Sequence, residues 1–536
     1  MIRHGGNGVT PFSVGNANIN GTSAAITTGN TAPEQTITPL QEFPFTHTQD
    51  GIQIISVDND SVDEPPAPPP TPAGSQRQTP QIDNLSEYLI TLTGNRIGAE
   101  TQFDRTGENF TWTISGEGSL NGLIKDIGVR IFTLPTNTEQ AALELDDLFE
   151  DDYEDSLDGT GEEVSIETIR TTLKTIQTQT GTHPVIIYAL SQPDELELVL
   201  VLPEGVPIRK SVPQANAAAL KKTLEEFRRT ITNPIRPKAY LASAQQLYQW
   251  LIAPLEPDLK ALGIDTLIFC MDVGLRTIPM AALHDGKQFI VENYSIGSIP
   301  SVSLTNTRYN PVKDAQVLAM GASKFQQLPS LPAVPVELDV ITQQLWKGKS
   351  FLNEGFTLNN LQSQRQPYQI IHLATHADFQ PGDASNSYIQ LWEGQLKMNQ
   401  LRQMRWNQPP QVELLVLSAC RTAVGDVEAE LGFGGLAVQA GVKSALASLW
   451  YVSDGGTLAL MSEFYRQLSQ PDVTIKAEAL RRTQIAMLRG QLRVEEGELR
   501  GPGFRGSIPL PPELEGNQDF SHPYYWAAFT MIGSPW

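Results

Sequence analysis

The stretch ELLVLSACRTA at residues 413–423 and the stretch QIIHLATHAD at residues 369–378 decide the predicted fold. Each is a short apolar run, typical of a buried strand in a parallel sheet, and each ends in small residues and one reactive side chain. The first run contains Cys420 and the second contains His376. Because residues just past the carboxyl ends of parallel strands meet at one crevice, we expect the thiol and the imidazole to lie together. A Cys/His nucleophile pair is therefore the leading hypothesis.

The alternative is that Cys420 is an inert buried thiol and His376 a hydrogen-bonded core histidine, which is the common situation for either residue taken alone. The presence of both at strand ends favours the functional pair. His372 lies deeper in the same apolar run, so we expect it to be a paired core histidine. Cys270 lies inside the TLIFCMD run and is predicted to be core packing.

The pair has a defined chemistry. An imidazole that takes the proton of a thiol makes it a strong nucleophile toward a carbonyl carbon. Acyl transfer also needs donors for the oxyanion, and the backbone N–H groups of Cys420 and Ala377 are candidates because the residues beside them are small. No third residue is assigned to orient His376, since Asp378, two positions on, need not point back at it.

The composition excludes several classes of protein. A net charge of −22 over 536 residues argues against binding to nucleic acid. Two cysteines leave no disulfide framework or cysteine zinc site, and the seven histidines show no metal-ligand spacing, so neither a metal nor another cofactor is predicted. The sequence shows neither a membrane span nor a signal peptide, so the chain is predicted to be cytoplasmic if it is complete.

The first 140 residues fall into three predicted segments. Residues 1–60 are rich in Gly, Asn, Thr and Ser, which fits either the last coils of a β-solenoid or a disordered polar tail. Residues 61–80 contain PPAPPPTP and are predicted to be a Pro-rich linker at a domain boundary. Residues 81–140 contain short β-type runs separated by Gly and Pro, which predicts a small β-rich region.

Residues 141–164 are predicted to be an acidic loop, because they hold eleven acidic residues and no Lys or Arg. Such a segment is typical of a solvated face or of a tether for a basic partner. The stretch EDSLDGTG is similar to part of a calcium loop, but Ser165 stands where a bidentate Glu should fall, so calcium is only a minor alternative.

From residue 165 onward, amphipathic helical patterns alternate with short apolar runs, which predicts an α/β fold. Two successive α/β units are expected, at 165–310 and at 311–536, and the Cys/His pair lies in the second.

Several motifs resemble the CHAT domain, a caspase-like peptidase module of the same clan as separase, caspases and metacaspases. They are HLATHA at 372–377, LSACRTA at 417–423, SLWYVSD at 448–454, HPYYWAAFTMIG at 522–533 and the run from LIFCMDVGLRTIP to SIGSIPS at 267–301. The resemblance implies a caspase-haemoglobinase sheet flanked by helices, with His376 and Cys420 as the catalytic dyad. It also implies that the unit at 165–310 is a pseudo-caspase half.

The WYVSD stretch is similar to the separase segment whose acid lines the pocket for a basic P1 side chain. The resemblance implies that Asp454 forms the base of this S1 pocket, with Trp450 beside it, and that cleavage follows Arg or Lys. The alternative is that Asp454 caps the helix that follows it.

The chain departs from the family pattern at two points. Ala377 stands where caspases have Gly, and no TPR helices precede residue 165. The first forty residues instead resemble the end of a filamentous-haemagglutinin-like β-solenoid, as in large cyanobacterial proteins. That resemblance implies a secreted or cell-surface location for a longer chain.

The predicted function is that of a cysteine endopeptidase that cleaves a protein or peptide substrate after a basic residue. Self-cleavage in the Arg-containing loop at 489–505 is one candidate reaction. The first alternative is a catalytically silent module that recruits a regulatory or adhesin-type partner, and the second is another Cys/His acyl hydrolase such as an amidase.

Overall fold

The computed structural model describes residues 134–153, 164–364, 366–380, 385–422, 427–502, 506–514 and 516–536, together with the backbone of six strands before residue 134. For residues 419–422 and 427–428 it describes the backbone alone. The chain divides into two compact units. The N-terminal unit is Met1–Thr133 with the short pieces Ser191–Glu195 and Ala215–Ala218, and the C-terminal unit is the remainder.

Six strands form one sheet in the N-terminal unit. They are β1 (Phe12–Gly15), β2 (Ala25–Thr28), β3 (Gln41–Glu42), β4 (Gln53–Asp58), β5 (Tyr88–Gly94) and β6 (Phe110–Gly116). The predicted boundary at 61–80 lies outside the described residues, but β4 and β5 on either side of it pair with each other. A proline run cannot join a ladder, yet it can connect two strands that do. The described pairs are antiparallel apart from β2 with β6, so the parallel stacking of a β-solenoid is not supported.

The C-terminal unit is built on a large, mostly parallel sheet. Residues between 493 and 519 form a separate, small four-stranded sheet. The strands of the large sheet are β7 (Pro184–Ser191), β8 (Leu196–Val201), β9 (Ile208–Val212), β10 (Thr266–Met271), β11 (Ser295–Ile299), β12 (Val317–Gly321), β13 (Gly348–Leu352), β14 (Ile370–Phe379), β15 (Tyr388–Gln390), β16 (Gln395–Lys397), β17 (Leu414–Thr422), β18 (Ser444–Ser448) and β23 (Phe529–Gly533). The small sheet contains β19 (Arg493–Glu495), β20 (Glu498–Arg500), β21 (Ile508–Pro509) and β22 (Gln518–Asp519).

The two predicted α/β units share this one large sheet. Its order is β13-β12-β14-β17-β18-β23-β11-β10-β7-β8-β9, so β23 from the end of the chain lies between strands of the two halves. Strand β23 is antiparallel to β18 and parallel to β11. The predicted α/β fold with helices flanking a mostly parallel sheet is confirmed. The joining of the halves was not predicted, because an apolar run carries no information about which distant strand it will pair with.

The described α-helices are α1 (Thr138–Asp151), α2 (Ile166–Thr180), α3 (Ala217–Ile231), α4 (Leu241–Leu251), α5 (Glu256–Ala261), α6 (Val334–Asp339), α7 (Leu358–Ser363), α8 (Val427–Gly434), α9 (Leu436–Ala440), α10 (Asp454–Leu468), α11 (Lys476–Leu488) and α12 (Pro523–Trp526). Helix α2 shows why these sequences are helical. The Ser165 side chain caps its first turn, Ile169, Leu173 and Ile176 form its buried face, and Gly181 ends it at φ +75°.

The predicted acidic loop at 141–164 is wrong over its first part, because those residues continue helix α1. The Asn137 side chain accepts the N–H groups of Glu139 and Gln140, and Leu145 and Phe149 lie on a fully buried face. An apolar stripe at helical spacing was hidden by the acidic residues between its members. The rest of that segment, at 154–163, includes the calcium-like stretch and lies outside the described residues.

Candidate active site

The two strands that the sequence singled out are neighbours in the sheet. Strands β14 and β17 are parallel, and their register sets His376 opposite Ala419 and Ala377 opposite Cys420. The register shifts between Leu373 and His376, so the strand is irregular just before the histidine. The backbone of Cys420 therefore lies on the adjacent strand, one position along from His376, at the end of the sheet where strand-end residues converge.

His376 is held by a backbone carbonyl that no sequence pattern indicated. Its Nε2–H donates to the carbonyl oxygen of Pro329 at 2.9 Å. A carbonyl only accepts, so the neutral ring carries its proton on Nε2 and its basic lone pair on Nδ1. The sequence analysis assigned no partner to the His376 ring, and the Pro329 carbonyl is one.

The imidazole of His376 is close to two aromatic rings. Phe325 approaches it at a centroid distance of 4.8 Å and an angle of 60°, and Tyr451 is stacked on it at 6.3 Å and 24°. Burial lowers the pKa of His376 below its ordinary value, and the hydrogen bond to Pro329 opposes that shift. The ring is therefore neutral and able to accept a proton near neutral pH.

Ala377, a predicted oxyanion donor, lies inside the sheet with 3% of its surface exposed. It is in register with Cys420 on one side and with Ile389 of β15 on the other. The oxyanion role of the Ala377 and Cys420 N–H groups stays a prediction.

Asp454 is the first residue of α10, and the cap of that helix is Ser453, whose hydroxyl accepts the N–H of Gly456. The alternative that Asp454 itself is the cap is therefore wrong. Its Oδ2 instead accepts the N–H of Ala333 at 2.5 Å. Burial raises the pKa of Asp454 to about 7; the Ala333 N–H lowers that pKa, and the charge of Glu337 raises it.

Trp450, predicted to lie in the S1 pocket, packs against the core of the second half. Its indole N–H donates to the carbonyl of Tyr524 at 3.0 Å, and the Tyr524 hydroxyl donates to the carbonyl of Tyr451 at 2.9 Å. The two late motifs are therefore bonded to each other. The neighbour Tyr451, 39% exposed, is the aromatic residue of this stretch that reaches His376.

The expectations for the two non-catalytic residues are confirmed. Cys270 is fully buried, its thiol donates to the carbonyl of Pro300 at 3.0 Å, and burial raises its pKa. His372 is fully buried, its Nε2–H donates to Glu337 at 2.8 Å, and its Nδ1 accepts the hydroxyl of Tyr465 at 3.2 Å. Both side chains are satisfied within the core.

In the part of the chain that the structure describes, no group of three or more His, Cys, Asp or Glu side chains could hold a metal ion. No helix within the same residues is long and apolar enough to cross a membrane.

Comparison with known proteins identifies a family for more than half of the chain. The sequence profile of the CHAT domain matches residues 241–534. No curated protein sequence matches the chain.

Three solved structures resemble the chain at low identity. Two crystal structures of the Saccharomyces cerevisiae separase–securin complex match it at 11% identity, with TM-scores of 0.42 and 0.41, over 75% and 74% of this chain. The matches cover 34% and 33% of those chains, so this chain spans about a third of their length. An exopolyphosphatase from Cytophaga hutchinsonii matches at 10% identity and a TM-score of 0.14, over 39% of this chain and 71% of that one.

Proposed function

The chain belongs to the CHAT domain family, and from that premise we propose that it is a cysteine endopeptidase. In this proposal Cys420 is the nucleophile, His376 is the general base, and the substrate is a protein or peptide chain with Arg or Lys before the scissile bond.

The register of the two strands is the observation that carries the proposal. Ala377, which follows His376, is the partner of Cys420 across a parallel ladder. In this proposal the thiol and the imidazole meet at these neighbouring strand ends, as a nucleophile and its base must.

The proposed reaction uses the basic Nδ1 of His376. That nitrogen takes the thiol proton while Sγ of Cys420 bonds to the scissile carbonyl carbon, and the N–H groups of Cys420 and Ala377 receive the oxyanion. The C–N bond then breaks, and the imidazolium returns its proton to the leaving amine. Water, activated by the same imidazole, hydrolyses the thioester and restores the thiol.

Asp454 supports the basic specificity. It is a partly buried carboxyl three residues from Tyr451, which stacks on His376. A carboxyl with one N–H partner retains acceptor capacity for a guanidinium, and an arginine there would form a charge-assisted hydrogen bond. Binding of the cation would also lower the pKa of Asp454 and release a proton near pH 7.

The test compares the two cysteines in matched variants. We expect an arginyl chloromethyl ketone to label wild-type protein at Cys420, located by mass spectrometry, and a fluorogenic peptide with Arg at P1 to be cleaved. Cys420→Ala should lose both, Cys270→Ala should keep both, and His376→Ala should lower kcat/KM by about 10²–10⁴-fold. Cleavage by Cys420→Ala at the wild-type rate would defeat the proposal.

A silent interaction module is the second candidate, and one observation favours it. The segment 325–333 already contacts His376 through Pro329 and Asp454 through Ala333. If that segment never leaves, no substrate enters, and wild-type protein would resist the chloromethyl ketone even at high concentration.

The residues proposed for self-cleavage lie in a paired hairpin. Arg493 and Arg500 of the loop at 489–505 are paired with each other in the antiparallel strands β19 and β20. That hairpin would have to open before either site could bind as an extended chain. The discriminating measurement is whether Cys420→Ala protein, incubated with wild type, is cut at these residues.

A further inference from the structure

Helix α8 (Val427–Gly434) starts five residues after the end of the strand that carries Cys420. Its contacts include residues of the first half. We propose that Glu430 and Tyr153 are positioning residues, which hold α8 and through it the ends of the His376 and Cys420 strands. The first half, including residues that precede the family match, is then a working part of the catalytic unit. This inference rests on the proposed peptidase function and concerns the control of that same site.

Glu430 anchors the helix to the first half. Its carboxylate is 1% exposed and accepts three hydrogen bonds there: from Arg228 at 3.1 Å, from the hydroxyl of Thr277 at 2.7 Å and from the N–H of Gly274 at 2.7 Å. A buried carboxylate is stable only when it is paired and hydrogen-bonded in this way. Arg228 lies on α3, before the start of the family match at residue 241.

Tyr153 supports the other end of α8. It is fully buried just past α1, and a Cβ added at Gly434 or Gly435 would meet its ring or hydroxyl at 2.8 Å. The guanidinium of Arg276 lies 5.0 Å from the centroid of the Tyr153 ring and forms an ion pair with Asp152. The glycines are therefore needed for close contact with a residue far outside the second half.

The same helix touches the end of the His376 strand. Phe433 of α8 packs edge-on against Phe379, the last residue of β14, at a centroid distance of 5.4 Å and an angle of 79°. A Cβ at Gly432 would also meet the Phe379 ring, at 3.6 Å. Helix α8 thus lies between anchors in the first half and the end of the His376 strand, and it also contacts β17, the Cys420 strand. A displacement of about 1 Å in such a site can cost about 100-fold in rate.

The test variant is Glu430→Gln, and the chain offers a matched control in Glu197→Gln. Glu197 is also a buried carboxylate, 2% exposed, and it pairs with Arg209 through two hydrogen bonds of 2.9 and 2.7 Å. It lies on β8, next to the edge strand β9 and far along the sheet from β17. Thr277→Val, which removes one donor to Glu430, is a milder second variant in case Glu430→Gln does not fold.

We expect Glu430→Gln to lower kcat and the rate of Cys420 labelling by about 10-fold or more, with KM little changed, and Glu197→Gln to leave all three within twofold. Amide hydrogen exchange over residues 414–434 should rise in Glu430→Gln and not in the control. Thr277→Val should show the same pattern more weakly.

Equal loss of labelling in both Gln variants would overturn the inference, because it would mean that only general stability had changed. Wild-type protein that is neither labelled nor active would defeat the proposed function, and the exchange experiment would then decide the inference separately. In that case faster exchange over 414–434 in Glu430→Gln alone upholds the anchoring, and unchanged exchange rejects it.

Discussion

Strand β10, which carries Cys270, and strand β17, which carries Cys420, are both apolar runs, but they lie beside different neighbours. Cys270 of β10 is in register with Tyr188 and Ile299, is fully buried and donates its thiol to Pro300. Cys420 of β17 is in register with Ala377, next to a half-buried histidine. The surroundings of a cysteine in an apolar run therefore depend on which strands lie beside it.

The segments that follow the two strands differ in the same way. After β10, the residues Gly274, Arg276 and Thr277 hold α8 and the end of α1 through hydrogen bonds and an ion pair. Near β14 and β17, the contacts instead surround an imidazole with two rings and a carbonyl. The contacts after β10 are therefore structural anchors, whereas those near β14 enclose a titratable side chain.

The largest of three further effects is expected at Asp454. Asp454→Asn should lower kcat/KM for an Arg substrate by about 100-fold, since a guanidinium would lose its charged partner. Because the pKa of Asp454 is raised to about 7, its carboxylate is protonated at lower pH, so the wild-type KM should rise as pH falls below about 7.

The measurement for Asp454 is a pH series of KM with an Arg peptide, beside the rate of alkylation of Cys420 by iodoacetamide. Asp454→Asn should alkylate at the wild-type rate, because the thiol and imidazole are untouched. An Asn variant that cleaves the Arg peptide as well as wild type would remove Asp454 from the specificity site.

A smaller effect is expected at Tyr451, which stacks on His376. Tyr451→Ala exposes the imidazole to water, so the depressed pKa of His376 should return upward toward its ordinary value. The acid limb of the kcat/KM profile should therefore move to higher pH, by up to about one unit, with a several-fold loss of rate at pH 6.

Tyr451→Phe is the matched control, since it keeps the stacked ring and loses only the hydroxyl. Its acid limb should stay at the wild-type pH. A shift of the same size in both variants would show that the ring itself does not set the pKa of His376.

The smallest effect is expected at Cys270. Cys270→Ala removes one buried sulfur, so the free energy of unfolding should fall by about 1 kcal/mol, which urea denaturation measures. The kcat/KM of the same protein should stay within twofold of wild type. A large loss of activity would mean that the Cys270 strand takes part in more than packing.

Much of the fold and part of the site followed from local patterns. The apolar runs around His376 and Cys420 correctly predicted strands, and the alternating patterns from residue 165 onward correctly predicted an α/β fold. Helix α1 was missed because its acidic residues masked a buried face of Leu145 and Phe149. The contact of Tyr451 with His376 was missed because it joins residues 75 positions apart in the chain.

The sequence by itself determined the alternation of strands and helices and the two reactive residues at strand ends, because spacing and side-chain chemistry are local properties. Only the tertiary structure decided that β23 joins the two halves, that Pro329 offers its carbonyl to His376 and that Glu430 is held by the first half. Those features depend on strand register, on backbone groups common to every residue and on side-chain contacts between residues far apart in the chain, and no local pattern of side chains encodes them.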